Sequence, residues 1–120
     1  MKLVLVFVGG GLGAAARWGV SQAVQPASHF PWTTFTVNML GCFLIGMLSY
    51  FVIKGNNTLF LLGIVGFLGG FTTFSSFALE MFRLMEAQEW KTFFSYFLVS
   101  NLLGVLLVYV GYTISTHWIK

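Results

Sequence analysis

Four long apolar stretches occupy almost the whole chain, and they constrain the fold more than any other feature. They run from about Leu3 to Val24, Trp32 to Ile53, Leu59 to Met81 and Thr92 to Trp118. A helix that crosses the hydrocarbon core of a bilayer needs about 20 mainly apolar residues, and each stretch is long enough. The sequence therefore predicts an all-α integral membrane protein, one domain over residues 1–120 with four transmembrane helices. The connections are a turn containing Pro26, His29 and Pro31, a polar loop from Lys54 to Thr58, and a charged loop around Arg83 to Lys91. Trp32, Trp90 and Trp118 fall near the ends of the stretches, where amphipathic rings favour the headgroup layer. Lys2, the apolar run after it and Ala14-Ala15-Ala16 resemble a signal peptide superficially, but the run reads as the first span.

Composition closes off most other functions. Hydrophobic residues make up 58% of the chain and charged residues 8%, against roughly 25% charged in a soluble domain, so the lipid bilayer is the expected surroundings and a cell membrane the expected location. The acids are Glu80, Glu86 and Glu89, with no Asp. Paired-carboxylate catalysis and acidic metal cages lack raw material, and no enzyme is expected. The bases are scattered rather than gathered on one face, which excludes nucleic acid as a partner. Cys42 stands alone and reads as a small apolar packing residue. Gly9-Gly10-Gly11-Leu12-Gly13-Ala14 fits the dinucleotide pattern formally, without the strand or the downstream acid that the pattern requires. Gly9 and Gly13, like Gly66 and Gly70, have instead the four-residue spacing that lets transmembrane helices approach closely.

Charge does not orient the chain. Four spans place Lys2, Lys54 and Lys120 on one side and Arg83 and Lys91 on the other, joined by Arg17 if it is counted toward the nearer end of its span. Acids contribute little to the positive-inside bias, so it is close to zero. Two explanations fit: the chain inserts both ways and pairs head to tail, or a marginal bias suffices.

Charged groups at depth are costly and usually functional, yet only Arg17 sits well inside a span. Glu80 is expected at the end of the third span beside Arg83, which leaves no carboxylate for a proton-coupled carrier. The segment Gly69-Gly70-Phe71-Thr72-Thr73-Phe74-Ser75-Ser76-Phe77 places two glycines and four hydroxyls in the third span. It reads either as a broken helix with freed carbonyls or as a continuous helix whose hydroxyls bond back one turn. Phe74 and Phe77 share a helix face; their ring edges carry positive charge that an anion could meet, though plain packing explains the same spacing. Asn38, and Tyr96 with Ser100 one turn apart, could donate hydrogen bonds to an anion or to neighbouring helices.

These residues carry a family resemblance. Gly69 to Phe77 resembles the signature of the Fluc/CrcB fluoride channels, Gly9 to Arg17 resembles their first-helix glycine and Arg segment, and Thr36 to Gly41 resembles their Asn-x-x-Gly element. The resemblance implies a passive fluoride-selective channel that limits fluoride toxicity, built as a dual-topology antiparallel homodimer with two pores. It implies a fluoride path of Asn38, Phe74, Phe77, Tyr96 and Ser100, with Ser76 from the same motif, and a vestibule near Arg17. It also implies a structural Na⁺ at the dimer interface, held by the backbone carbonyls of Gly69 and Thr72. Gly104 stands where some members carry a further hydroxyl. Two rival readings are a small multidrug exporter, which needs an intramembrane acid, and a structural assembly subunit.

Overall fold

The computed structural model describes residues 1–24 and 30–118. Pro26, His29 and Lys120 lie outside the described residues. Helix α1 spans Lys2–Ala23 and α2 spans Trp32–Ile53. The third crossing is built in pieces: α3 (Asn57–Leu59), a wide π-helical segment (Phe60–Leu68), α4 (Gly69–Phe71) and, after an interruption, α5 (Phe74–Glu86). Helix α6 (Trp90–Trp118) completes the bundle. Four crossings are long and apolar enough to span a membrane, the third extending over Asn57–Glu86.

The second and third connections are shorter than the sequence suggests. Asn56 caps the third crossing by accepting a hydrogen bond from the Leu59 N–H at 2.9 Å, so helix begins inside the expected polar loop. Helix α5 runs on through Arg83, and the expected charged loop shrinks to Ala87–Glu89. Gln88 closes it with φ 57°, while the Glu89 N–H donates to the Leu84 carbonyl at 2.9 Å. That bond satisfies a carbonyl at the helix end, which explains why a non-glycine residue accepts a left-handed conformation there.

Two helix pairs make the bundle. Helix α1 lies against the π segment and α4, and α2 lies against α6. A Cβ on Gly9 would run into the Leu62 carbonyl, one on Gly13 into the Phe67 carbonyl and one on Gly70 into the Gly10 carbonyl. The four-residue glycine spacing thus sets backbone against backbone, the close approach that small residues permit in membranes. In the second pair Gly46 faces the Val108 carbonyl and Gly111 the Phe43 carbonyl. There the fully buried Ser115 Oγ donates to the Met47 carbonyl at 3.0 Å. Val37, Leu68 and Phe71 form the buried core between the pairs. Trp32, Trp90 and Trp118 are all exposed near crossing ends, as expected of interface anchors.

Candidate functional site

The break in the third crossing lies at Thr72 and Thr73, whose backbones are extended (φ −84°, ψ 160° and φ −151°, ψ 119°). The glycines do not cause it. Gly69 is helical, at φ −60° and ψ −34°, and a Cβ there would meet nothing closer than the Ile64 carbonyl at 3.9 Å. Both sequence readings contain part of the outcome. Thr72 Oγ1 does bond back one turn, to the Leu68 carbonyl at 2.8 Å, but the helix still ends there.

What holds the chain open is α2. Asn38 Nδ2 donates to the Thr73 carbonyl at 3.1 Å, and the Thr73 N–H donates to Asn38 Oδ1 at 2.9 Å. One side-chain amide thereby satisfies both backbone groups of an extended residue at membrane depth, where lipid offers no partner. Three residues on, Gly41 leaves room for the Thr72 methyl group, which a Cβ would strike. Residues three apart share a helix face. The Asn-x-x-Gly spacing is therefore a matched socket: the amide clamps one threonine and the glycine admits the other.

The same bonds decide which carbonyls lose their donors. In a continuous helix each N–H bonds the carbonyl four residues earlier. The Thr73 N–H, due to Gly69, goes to Asn38 Oδ1, and the Ser76 N–H, due to Thr72, goes to Thr73 Oγ1 at 3.2 Å. Because helix ends at Phe71 and restarts at Phe74, the carbonyls of Gly69, Gly70, Phe71 and Thr72 all lose their usual helical donors, and those due to Gly69 and Thr72 are the two whose diversion to Asn38 and Thr73 is seen directly. Among the described residues no group of three His, Cys, Asp or Glu could hold a metal ion. Any cation in this region would depend on neutral oxygens such as the carbonyls freed at the break.

Two cavities meet at the break. The larger, about 470 Å³, is lined by Asn38, Gly69, Thr72, Phe74, Phe77 and Ser100 among others, and its wall carries no acid, histidine, Lys or Arg. The smaller, about 290 Å³, is lined by Arg17, Thr34 and Ser76. Thr73 borders both. Arg17 Nε is buried with no hydrogen-bond partner among the described residues. Phe74 and Phe77 stack with centroids 6.0 Å apart, and Phe74 is exposed.

The structure thus divides the expected residues. Asn38, Phe74, Phe77, Ser100, Gly69 and Thr72 share the larger cavity, while Arg17 and Ser76 share the smaller. Tyr96, one turn before Ser100 on α6, lines neither cavity. Its fully buried ring packs on Phe77 at 4.8 Å, and its hydroxyl donates to Glu80 Oε1 at 3.3 Å. Glu80 stays one turn from Arg83 on α5, as expected, but is half-buried and also tied to Tyr96 of α6. Gly104 is buried under Cys42 and Met39, where a Cβ would lie 3.3 Å from Cys42 Sγ. Thr73, which ties the site together, carries a local signal in its position as a Thr just before an apolar helical run, the usual place of an N-cap.

Fold and site define a multi-pass helical membrane protein whose third crossing is interrupted by a neutral, polar break. Residues 4–112 match the family described as CrcB-like protein, Camphor Resistance (CrcB), and the chain belongs to that family. It is 42% identical over 119 residues to the fluoride-specific ion channel FluC of Azobacteroides pseudotrichonymphae, covering 95% of each chain. The FluC of Phocaeicola vulgatus is 40% identical over 114 residues, 92% of this chain and 94% of the relative. That of a Hydrogenobaculum species is 42% identical over 115 residues, with the same coverage.

Proposed function

We propose that the chain is a passive, fluoride-selective channel of the cell membrane that lets fluoride leak out and so limits its toxicity. The observation that carries this reading is the larger cavity at the break, a mostly apolar space without any charged group into which two amides, three hydroxyls and the Phe74 and Phe77 rings are set. Fluoride is small and strongly hydrated, so a pore must replace its water with close donors. A fixed cation in the narrow part would hold the ion too tightly for conduction, which needs weak, multiple sites. Asn38 keeps its second Nδ2 hydrogen for the anion after bonding Thr73, Ser100 offers a hydroxyl, and the Phe74 and Phe77 edges offer positive quadrupole charge. Arg17 and Ser76, in the neighbouring cavity, would draw the anion toward the break from water. Tyr96 is assigned to the path through Phe77, the ring that it backs.

In this reading the functional unit is an antiparallel homodimer with two pores. The large cavity is bordered by exposed residues, Phe74, Phe97 and Asn101, which a second copy could cover, and the near-zero charge bias allows both insertions. Two copies would bring the freed carbonyls of Gly69 and Thr72 together as four oxygens around a structural Na⁺. Oxygen ligands suit a hard cation, and its charge would compensate carbonyl dipoles that cost about 1–3 kcal/mol each when buried unsatisfied. The ion is structural and is not carried. The test is anion efflux from liposomes containing the purified protein alone. Rapid loss of fluoride with chloride retained is expected; fluoride retained as in empty liposomes would refute the proposal.

A further inference from the structure

Helix α6 carries a side-chain amide near its middle, Asn101, which is exposed in a stretch with exposed Phe97, Leu98, Leu102 and Val105. Lipid offers an amide no partner. Asn101 Nδ2 donates to the Phe97 carbonyl at 2.7 Å. Because a carbonyl can only accept, this bond fixes which end of the amide is nitrogen, and it engages only one of the two hydrogens. The other has no partner among the described residues. Asn38 shows the same arrangement, with one Nδ2 hydrogen on the Thr73 carbonyl and one left over.

Both amides line the same cavity, together with Ser100, Phe74 and Phe77. Two helices thus each present an amide pinned by a backbone carbonyl, with a donor to spare, in a wall free of acids and cations. A small anion stripped of its water needs donors from more than one direction, and pinned amides supply them without the reorganisation that a loose side chain would require. From the reading of this cavity as the fluoride path, on which the inference rests, we propose that Asn101 is a specificity-determining residue. Its free N–H gives fluoride a donor from α6 to complement that of Asn38 on α2. A larger, less strongly hydrated halide gains less from each added donor, so the residue favours fluoride over chloride.

The test compares wild type with Asn101→Leu and Asn101→Ser in liposomes, reading initial fluoride flux against fluoride concentration, with dimer content measured in detergent. Loss of one charge-assisted hydrogen bond corresponds to about a tenfold effect. The Leu variant is expected to need about tenfold more fluoride for half-maximal flux while remaining dimeric. The Ser variant, which returns a hydroxyl donor, is expected to recover part of that shift. An unshifted half-saturation in Asn101→Leu, an equal shift in both variants, or a flux loss that only follows loss of dimer would overturn the proposal; the last outcome would make the amide an interface contact. A wild-type protein that passes no fluoride would instead overturn the underlying channel reading.

Discussion

The two ends of the third crossing are built on opposite principles. In its first half the π segment and α4 meet α1 backbone to backbone through Gly9, Gly13, Gly66 and Gly70, and every close approach is completed within the chain. In its second half, Thr72 and Thr73 are held open by Asn38, Phe74 is exposed, and the carbonyls from Gly69 to Thr72 lose their helical donors. The first region closes on the chain's own backbone, whereas the second leaves backbone polar groups to be met by side chains. Glycines mark both, so the presence of glycine does not distinguish packing from function; the fate of the neighbouring polar groups does.

Substitutions should separate the two regions by what they damage. The largest effect on stability is expected from Gly13→Leu, whose side chain has no room beside the Phe67 carbonyl, whereas Gly11→Leu points into open space. Overpacking with some relaxation costs about 1–3 kcal/mol, and a collision with backbone should exceed that. Folded yield in detergent should collapse for Gly13→Leu and stay normal for Gly11→Leu.

At the break, Asn38→Leu strips the partners from both backbone groups of Thr73, at about 1–3 kcal/mol for each. Thermal stability and fluoride flux should fall together. Asn38→Asp keeps the acceptor for the Thr73 N–H but repels both the Thr73 carbonyl and the anion, so its flux should fall below that of Asn38→Ala. Equal fluxes in Asp and Ala would confine Asn38 to a clamp.

Phe74→Ile and Phe77→Ile should do the reverse of the glycine change. Conservative apolar swaps cost less than about 1.5 kcal/mol, so the protein should remain folded while fluoride efflux slows strongly. Unchanged efflux in both would return the rings to packing. The smallest expected effect lies outside both regions: Gln88→Gly should raise stability by up to about 1 kcal/mol, because φ 57° disfavours a side chain. Flux should not change.

The parts of the molecule legible in the sequence are those set by local pattern. Hydropathy placed the four crossings, and glycine spacing marked the faces of α1 and the third crossing that allow close approach, though not that they meet each other, because both signals depend on residues a turn apart. The motif from Gly69 to Phe77 marked the break only to within a turn or two. What stops the helix at Thr72 is Asn38, 35 residues away, and no local propensity encodes such a partner. Of the two readings of Tyr96, the bond to a neighbouring helix is the one seen, and its partner, Glu80 on α5, was not legible for the same reason. The Asn-x-x-Gly element was recognisable by likeness, while its socket function required Thr72 and Thr73 in place.

The central claim is that the break region is completed by an oppositely inserted second copy. Adding three Lys to the loop between Lys54 and Thr58 should fix one orientation, and adding them near Arg83 to Lys91 should fix the other. The most direct measurement is fluoride efflux from cells or liposomes carrying each biased form alone and then both together. The account predicts near-background efflux for either alone and restored efflux for the pair. Full efflux from a single biased form would contradict it.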